Sequence, residues 1–230
     1  MRIHIRGQMG VQILQSFVAI GRLHYDETPT IVVNTAGNLP YDATEKLSRV
    51  FDPKVVISHQ EEFRKTPYWE PGSAALAFQS RDRVLSELLP LKDSMKAPSP
   101  TKTKSILHCR GGDKITATAE SYEKLFGVAG FAIDRVLSND AALGEAVASR
   151  IGADFYDTTS MEDDWKTILD AERVLAMPSA FVMSTMLIDP AKRIVFGGES
   201  FRDGPYEAMA GDLLFIDEAR EYCPNVEVLE

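Results

Sequence analysis

The sequence predicts an α/β protein built from two parallel-sheet domains that face one cleft. Short β-branched segments alternate with segments of helical periodicity, which is the pattern of parallel βαβ units. The stretch 92–104 is polar and basic and carries two prolines, as linkers do. The same alternation starts again after this stretch. We therefore predict an N-terminal α/β domain over residues 1–98 and a C-terminal α/β domain over residues 99–230.

Each predicted element rests on the spacing of its apolar residues. Alternating or compact β-branched runs indicate strands, and apolar residues three and four apart indicate helices. In the first half we predict strands at 2–6, 30–34 and 54–58 and helices at 11–20, 41–51 and 73–91. In the second half we predict strands at 105–109, 131–137, 154–156, 180–183 and 193–196, and helices at 120–126, 141–150, 161–177 and 213–222.

Composition excludes several classes of protein. The 230 residues are 44% hydrophobic and 26% charged, which is typical of a soluble globular protein. The formal charge of -9 argues against a partner that is duplex nucleic acid. Cys109 and Cys223 are far apart and are expected to be free thiols. The N-terminus lacks a signal-peptide pattern and no stretch predicts a transmembrane helix, so we expect a cytoplasmic protein.

The densest group of reactive side chains is the run 108–114, directly after a predicted strand. Arg110 can bind a phosphate through two parallel hydrogen bonds, and Lys114 adds a second cation. His108 can donate to a phosphate oxygen, and Asp113 can bind a sugar hydroxyl or hold Arg110. Such donors suit a diphosphate leaving group. The alternative is an Arg–Asp pair that stabilises a turn, with His108 as an interior residue.

Two further groups also follow predicted strands. In the Ser138-Asn139-Asp140 turn, Asp140 is a candidate ligand contact, although capping of the next helix is the favoured interpretation. Ser184 and Thr185 follow the predicted strand 180–183 and can bind an anion. Asp170, on the preceding helix, can accept two hydrogen bonds from a guanine edge. The alternative is a helix cap for Ser184 and a solvated position for Asp170.

A glycine-containing turn follows the first strand. Gly7 and Gly10 allow the backbone to approach a ligand, and Gln12 lies close behind them. The spacing is not G-x-G-x-x-G, so it does not predict a dinucleotide site.

Taken together, these motifs resemble the fucosyltransferase superfamily, the α-1,2- and α-1,6-fucosyltransferases and their bacterial relatives. The element from His108 to Asp113 is similar to that group's H-x-R-R-G-D, and the segment from Gly7 to Gln15 is similar to its N-terminal G-x-x-G-N-Q-φ-φ-Q. The turn that ends at Asp140 and the pair of Asp170 with Ser184-Thr185 follow in the same order. The resemblance implies two Rossmann-like parallel-sheet domains facing a cleft, which is a GT-B-like fold.

The resemblance also implies a function and roles. It implies inverting transfer of a sugar, most often fucose, from a GDP-sugar donor to a glycan acceptor, with no cofactor and no metal. The N-terminal domain would face the acceptor and the C-terminal domain would bind the nucleotide sugar. Arg110 would be catalytic by holding the β-phosphate, His108 would support the phosphates, Asp170 would read guanine, and Ser184 and Thr185 would hold phosphate oxygens.

This sequence departs from the family in two motifs. Gly111 replaces the second Arg and removes a cation, and Val11 replaces the Asn of the N-terminal motif. The residue that acts as general base is not assigned, and the candidates are Asp26, His59, Glu61 and Glu62. Two other functions stay open as well. One is a nucleotide-sugar binding protein without transferase activity, and the other is an unrelated α/β enzyme that acts on a phosphorylated metabolite.

Overall fold

The computed structural model describes residues 2–5, 9–23, 29–34, 43–60, 69–97, 103–110, 117–157, 160–201 and 207–230. The chain divides into two compact units. Unit 1 comprises Met1–Ala97 and Leu214–Tyr222, and unit 2 comprises Pro98–Leu213 and Cys223–Glu230. Each unit contains a parallel sheet, so the predicted α/β class is confirmed. The acceptor and nucleotide-sugar roles of the two halves stay predictions.

Unit 1 is built on a three-stranded parallel sheet. Its elements are β1 (Arg2–Ile5), α1 (Met9–Gly21), β2 (Thr30–Asn34), α2 (Ala43–Val50), β3 (Val56–Gln60), α3 (Ser73–Arg83) and α4 (Asp93–Lys96), with one π-helical turn at Val84–Leu88. The strand order is β1-β2-β3. The predicted helix 73–91 therefore ends in a π turn, in which the Leu89 N–H donates to the Val84 carbonyl at 2.7 Å.

The core of unit 1 lies where α1 packs against α3. Most of α1 is buried, including Ile13, Leu14 and Phe17, so this helix is covered on nearly all its faces. Gly21 permits the close approach, because a Cβ there would collide with the backbone of Leu76 on α3. The Ser80 hydroxyl of α3 donates to the Phe17 carbonyl at 3.0 Å.

Unit 2 is built on a six-stranded parallel sheet. Its elements are β4 (Ser105–Cys109), α5 (Ala119–Ala129), β5 (Arg135–Ser138), α6 (Ala141–Ile151), β6 (Asp154–Tyr156), α7 (Met161–Asp170), β7 (Arg173–Ala176), α8 (Ala180–Met186), β8 (Arg193–Gly197), a 3-10 turn (Glu199–Phe201), α9 (Glu207–Ala219) and β9 (Val226–Leu229). The strand order is β6-β5-β4-β7-β8-β9, and every pair is parallel. This order is that of a doubly wound Rossmann-like sheet.

Helix capping fixes where the helices of unit 2 begin and end. Thr118, Asp140, Ser160 and Ser179 each precede a helix and accept a hydrogen bond from a backbone N–H of its first turn. Gly152 follows α6 in the left-handed conformation, with φ 69, which a glycine adopts without strain.

The last segment of α9 belongs to unit 1, where it contacts α3 through hydrogen bonds and a stacked pair of rings. The Glu218 carboxylate accepts hydrogen bonds from the backbone N–H groups of Gly72 at 2.6 Å and Ala74 at 3.2 Å. The Tyr222 ring stacks on the Phe78 ring with centroids 5.0 Å apart. A carboxylate at a helix N-terminus is favourable because the helix dipole is positive there.

Several predicted elements are confirmed, including the strands at 30–34, 105–109 and 154–156. The prediction of one helix over 161–177 is wrong, because α7 ends at Asp170 and β7 begins at Arg173. The buried Lys192 amine donates to the carbonyls of Leu169 at 2.7 Å and Ala171 at 2.6 Å and so caps the end of α7. The central place of β7 in the sheet outweighs its helix propensity. The short helix α4 and the strand β9 were not predicted.

The predicted strand 180–183 is also wrong, because these residues open the helix α8. Ser179 starts this helix, since its hydroxyl oxygen accepts the Val182 N–H at 3.3 Å. Cys109 and Cys223 form no disulfide, as predicted, and both are buried. In the part of the chain that the structure describes, no helix has both the length and the apolar character needed to cross a membrane.

Candidate functional site

The carboxyl edge of the six-stranded sheet in unit 2 is the candidate site. The chain leaves β4 toward β5 on one side, whereas β7 lies on the other side of β4. In doubly wound sheets the crevice beyond such a reversal of strand order is where ligands bind. Arg110 is the first residue after β4, so the topology places it at this point.

Arg110 is held through its backbone. Its N–H donates to the hydroxyl of Tyr122 at 2.9 Å, and Tyr122 is completely buried on α5. The Arg110 side chain is half-buried, and among the described residues no carboxylate forms an ion pair with its guanidinium. The hydrogen bond to Tyr122 therefore fixes the backbone of Arg110 at the end of β4.

His108 lies in β4, two residues before Arg110, and is 6% exposed. Its ring stacks on the Phe181 ring with centroids 5.6 Å apart and an interplanar angle of 27°. Its Nδ1 is buried, and no described residue forms a hydrogen bond with it. Burial and then the charge of Arg110 lower the pKa of His108 to about 3. The imidazole is therefore neutral at physiological pH, so it can offer one N–H donor but no positive charge.

Cys109 separates these two residues and is also buried. Burial raises the pKa of the Cys109 thiol well above its usual value. Because the thiolate is the reactive form, this cysteine is not suited to nucleophilic chemistry.

Asp140 caps the helix α6 at the same edge. Its Oδ1 accepts the Leu143 N–H at 3.1 Å, and its own N–H donates to the Ser138 hydroxyl at 3.1 Å. The structure thus confirms the capping role that the sequence favoured for this turn. Its contact with a ligand stays a prediction.

Ser184 and Thr185 lie within α8 rather than at the end of a strand. Both are completely buried. The Ser184 hydroxyl donates to the Phe181 carbonyl at 2.8 Å and accepts the Trp165 indole N–H at 2.9 Å. The Thr185 hydroxyl donates to the Val182 carbonyl at 2.7 Å. With no exposed surface, neither hydroxyl is accessible to a phosphate in this conformation, which corrects the expected position of this pair.

Asp170 lies at the opposite edge of the sheet from Arg110. It is the last residue of α7 and precedes the amino end of β7, where Arg173 pairs in register with Ser105. Arg110 is five positions after Ser105, so at about 3.3 Å per residue its backbone lies roughly 16 Å along the strand from the register of Arg173. The Asp170 carboxylate forms an ion pair with Lys166 at 3.0 Å. The structure therefore does not bring Asp170 together with Arg110.

The remaining predicted residues fall in unit 1 or outside the described ranges. Gly10 and Gln12 are buried in the first turn of α1. Gly7, Asp113 and Lys114 lie outside the described residues, and so do Asp26, Glu61 and Glu62 among the candidate bases. His59 is in β3, whose backbone alone is described.

Three residues near the carboxyl edge escaped the sequence analysis. Tyr122 and Phe181 fix Arg110 and His108, and long-range contacts of this kind leave no local pattern. Ser179 did leave a signal, because Pro178-Ser179 between two apolar runs is typical of a break followed by an N-cap.

The comparisons with known proteins give distant similarities. No protein-family model matches the chain, and no curated protein matches it. The chain is similar to the solved structure of E. coli heptosyltransferase WaaC with ADP, with 12% identity and a TM-score of 0.46 over 97% of this chain and 99% of that one.

A second similarity is to the bacterial iron-containing dodecameric glycosyltransferase TibC from enterotoxigenic E. coli, with 9% identity and a TM-score of 0.43. That match covers 85% of this chain and 57% of TibC. Neither similarity assigns an activity to this chain.

Proposed function

We propose that unit 2 binds the diphosphate of a nucleotide sugar at the carboxyl edge of its sheet, and that the protein transfers the sugar to a glycan acceptor. The expected donor is GDP-fucose and the expected transfer is inverting and independent of metal. The observation that carries the proposal is the place of Arg110, directly after β4 at the reversal of strand order. The expected identity of the donor follows from the family resemblance of the motif that contains Arg110.

Arg110 supplies the charge that the reaction needs. When the bond between the sugar and the β-phosphate breaks, the electron pair stays on the nucleoside diphosphate, which gains negative charge. A guanidinium held in place beforehand stabilises that charge without further reorganisation. The hydrogen bond from the Arg110 N–H to Tyr122 supports this role, because it fixes the backbone at the end of β4.

His108 would serve as a neutral partner of the phosphates. Its lowered pKa excludes a cationic contact near neutral pH, so the positive charge must come from Arg110 and from Lys114. The stack on Phe181 holds the imidazole plane, and its Nδ1 has no partner among the described residues. Because Nδ1 is buried, a contact with a phosphate oxygen in this conformation would have to use the other ring nitrogen, Nε2.

In the proposed transfer, an acceptor hydroxyl oxygen attacks the anomeric carbon from the face opposite the nucleotide. The new carbon–oxygen bond forms as the bond to the β-phosphate breaks, and a general base takes the hydroxyl proton. Asp26, His59, Glu61 and Glu62 stay the candidates for that base.

Calorimetric titration with GDP, UDP and ADP tests the nucleotide assignment. We expect GDP to bind more tightly than the other two nucleotides. Equal affinities for all three would remove the guanine assignment. Binding of sugar phosphates that is lost in Arg110→Ala, without preference for any nucleotide, would instead support the phosphorylated-metabolite enzyme.

A transfer assay with GDP-fucose and a panel of glycans tests the reaction itself. We expect product with inverted anomeric configuration by NMR, and unchanged rates in the presence of a metal chelator. The alternative, a nucleotide-sugar binding protein without activity, is favoured by Gly111 in place of the family's second arginine. GDP binding without transfer or donor hydrolysis would establish that alternative.

A further inference from the structure

A pair of arginines lies at the amino edge of the six-stranded sheet. Arg173 opens β7 and Arg193 opens β8, and the two residues are register partners. Register partners of neighbouring parallel strands project from the same face of a sheet. Their guanidinium carbons lie 5.7 and 5.6 Å from the centroid of the Phe131 ring, so one aromatic ring holds two cations.

These two charges lack a neutralising partner in the described part of the chain. No described carboxylate forms an ion pair with Arg173 or Arg193. The carboxylate of Asp134, three residues after Phe131, accepts instead the backbone N–H groups of Lys104 at 3.0 Å and Ser105 at 2.9 Å. The ring attracts each guanidinium but cannot remove the repulsion between them.

The geometry points to a phosphate-group binding site formed by Arg173 and Arg193, with Phe131 as the support that orients both guanidinium groups. Guanidinium forks match the oxygens of phosphate and bind them through paired, charge-assisted hydrogen bonds. Arg193 is exposed and Arg173 is half-buried, so both are accessible. A bound phosphate group, either inorganic or carried by a sugar, would neutralise both charges.

The site is separate from the proposed nucleotide site, because Arg110 follows the carboxyl end of β4 and this pair opens β7 and β8. It therefore does not depend on the proposed transferase activity.

Arg135 provides a matched control at the same edge. It opens β5 and stacks alone on the Tyr156 ring at 5.0 Å. Its register partner is Ile106, whereas the partner of Arg173 is Ser105. Because side chains alternate along a strand, Arg135 projects from the other face of the sheet.

The test is calorimetric titration of the full chain with inorganic phosphate and, separately, with a hexose phosphate at constant ionic strength. We expect saturable binding that weakens about tenfold or more in Arg193→Ala, and further in Arg173→Ala/Arg193→Ala. Arg193 is exposed, so its replacement should leave the fold intact, which the far-UV circular dichroism spectrum checks. Tighter binding of the hexose phosphate would identify a sugar phosphate as the ligand, and equal binding would show that the site recognises the phosphate group alone.

Two control variants separate this site from general charge effects and from the nucleotide site. Arg135→Ala should bind phosphate as the wild type does, and in Arg110→Ala the phosphate binding that depends on Arg193 should remain. Absence of phosphate binding to the wild type, unchanged binding in Arg193→Ala, or an equal loss in Arg135→Ala would each overturn the proposal. Loss of GDP binding in Arg110→Ala with phosphate binding retained would show that the two sites are independent.

Discussion

The buried imidazole of His108 predicts a measurable acid sensitivity. Burial and the charge of Arg110 lower its pKa from the usual 6.5 to about 3 in the folded protein. Between these values the unfolded chain binds a proton that the folded protein does not bind. The free energy of unfolding therefore keeps its full value above pH 6.5 and falls as the pH drops toward 3. The slope is about 1.4 kcal/mol per pH unit, so the loss at about pH 5 amounts to roughly 2 kcal/mol.

Urea unfolding of the wild type and of His108→Gln near pH 7 and near pH 5 measures this effect. Glutamine does not titrate, so the difference in unfolding free energy between the two proteins should change by roughly 2 kcal/mol in favour of the variant as the pH falls. The other titrating groups are common to both proteins and cancel in that difference. A difference that is independent of pH would refute the account of a neutral, buried imidazole beside Arg110.

Three further substitutions test contacts around the site. Tyr122→Phe removes the acceptor of the Arg110 N–H and should cost about 1–2 kcal/mol of unfolding free energy, with weaker nucleotide binding by calorimetry. Ser184→Ala removes the hydroxyl that accepts the Trp165 indole N–H, so it should lower the unfolding free energy by about 1–2 kcal/mol in urea unfolding. Its nucleotide affinity should stay unchanged, and a loss of affinity would instead support a contact between Ser184 and a phosphate. Gly144→Ala places a Cβ against an aromatic ring of β6 and should lower the unfolding free energy by about 1–3 kcal/mol in the same assay.

Much of the fold could be predicted because the strands of unit 2 are short apolar runs with clear breaks. Ser105–Cys109 was predicted with its bounds, and so the place of Arg110 after a strand followed directly. The Asp140 turn was also interpretable, since a short polar residue before a helix is typical of an N-cap. Both features depend on residues that are neighbours in the sequence, so the order and spacing of residue types predict them.

The region Met161–Met186 was assigned wrongly because its conformation depends on contacts that the spacing of residues in the sequence does not reveal. β7 contains good helix formers but lies in the middle of the sheet, where pairing with β4 and β8 decides its conformation. α8 contains Phe181 and Val182, which favour strands, yet the cap at Ser179 begins a helix. Because of this exchange, the sequence analysis placed Ser184 and Thr185 at the end of a strand and did not reveal the distance between Asp170 and Arg110.

The most direct test of the central claim is the GDP affinity of Arg110→Ala compared with Arg150→Ala. Arg150 is a half-exposed arginine of the same unit that pairs with Glu123 at 2.6 Å, so it controls for the loss of one positive charge. We predict that Arg110→Ala binds GDP roughly ten- to a hundredfold more weakly, as expected for a charge-assisted phosphate contact, and that Arg150→Ala binds as the wild type does. Equal affinities in the two variants would show that Arg110 does not contact the diphosphate.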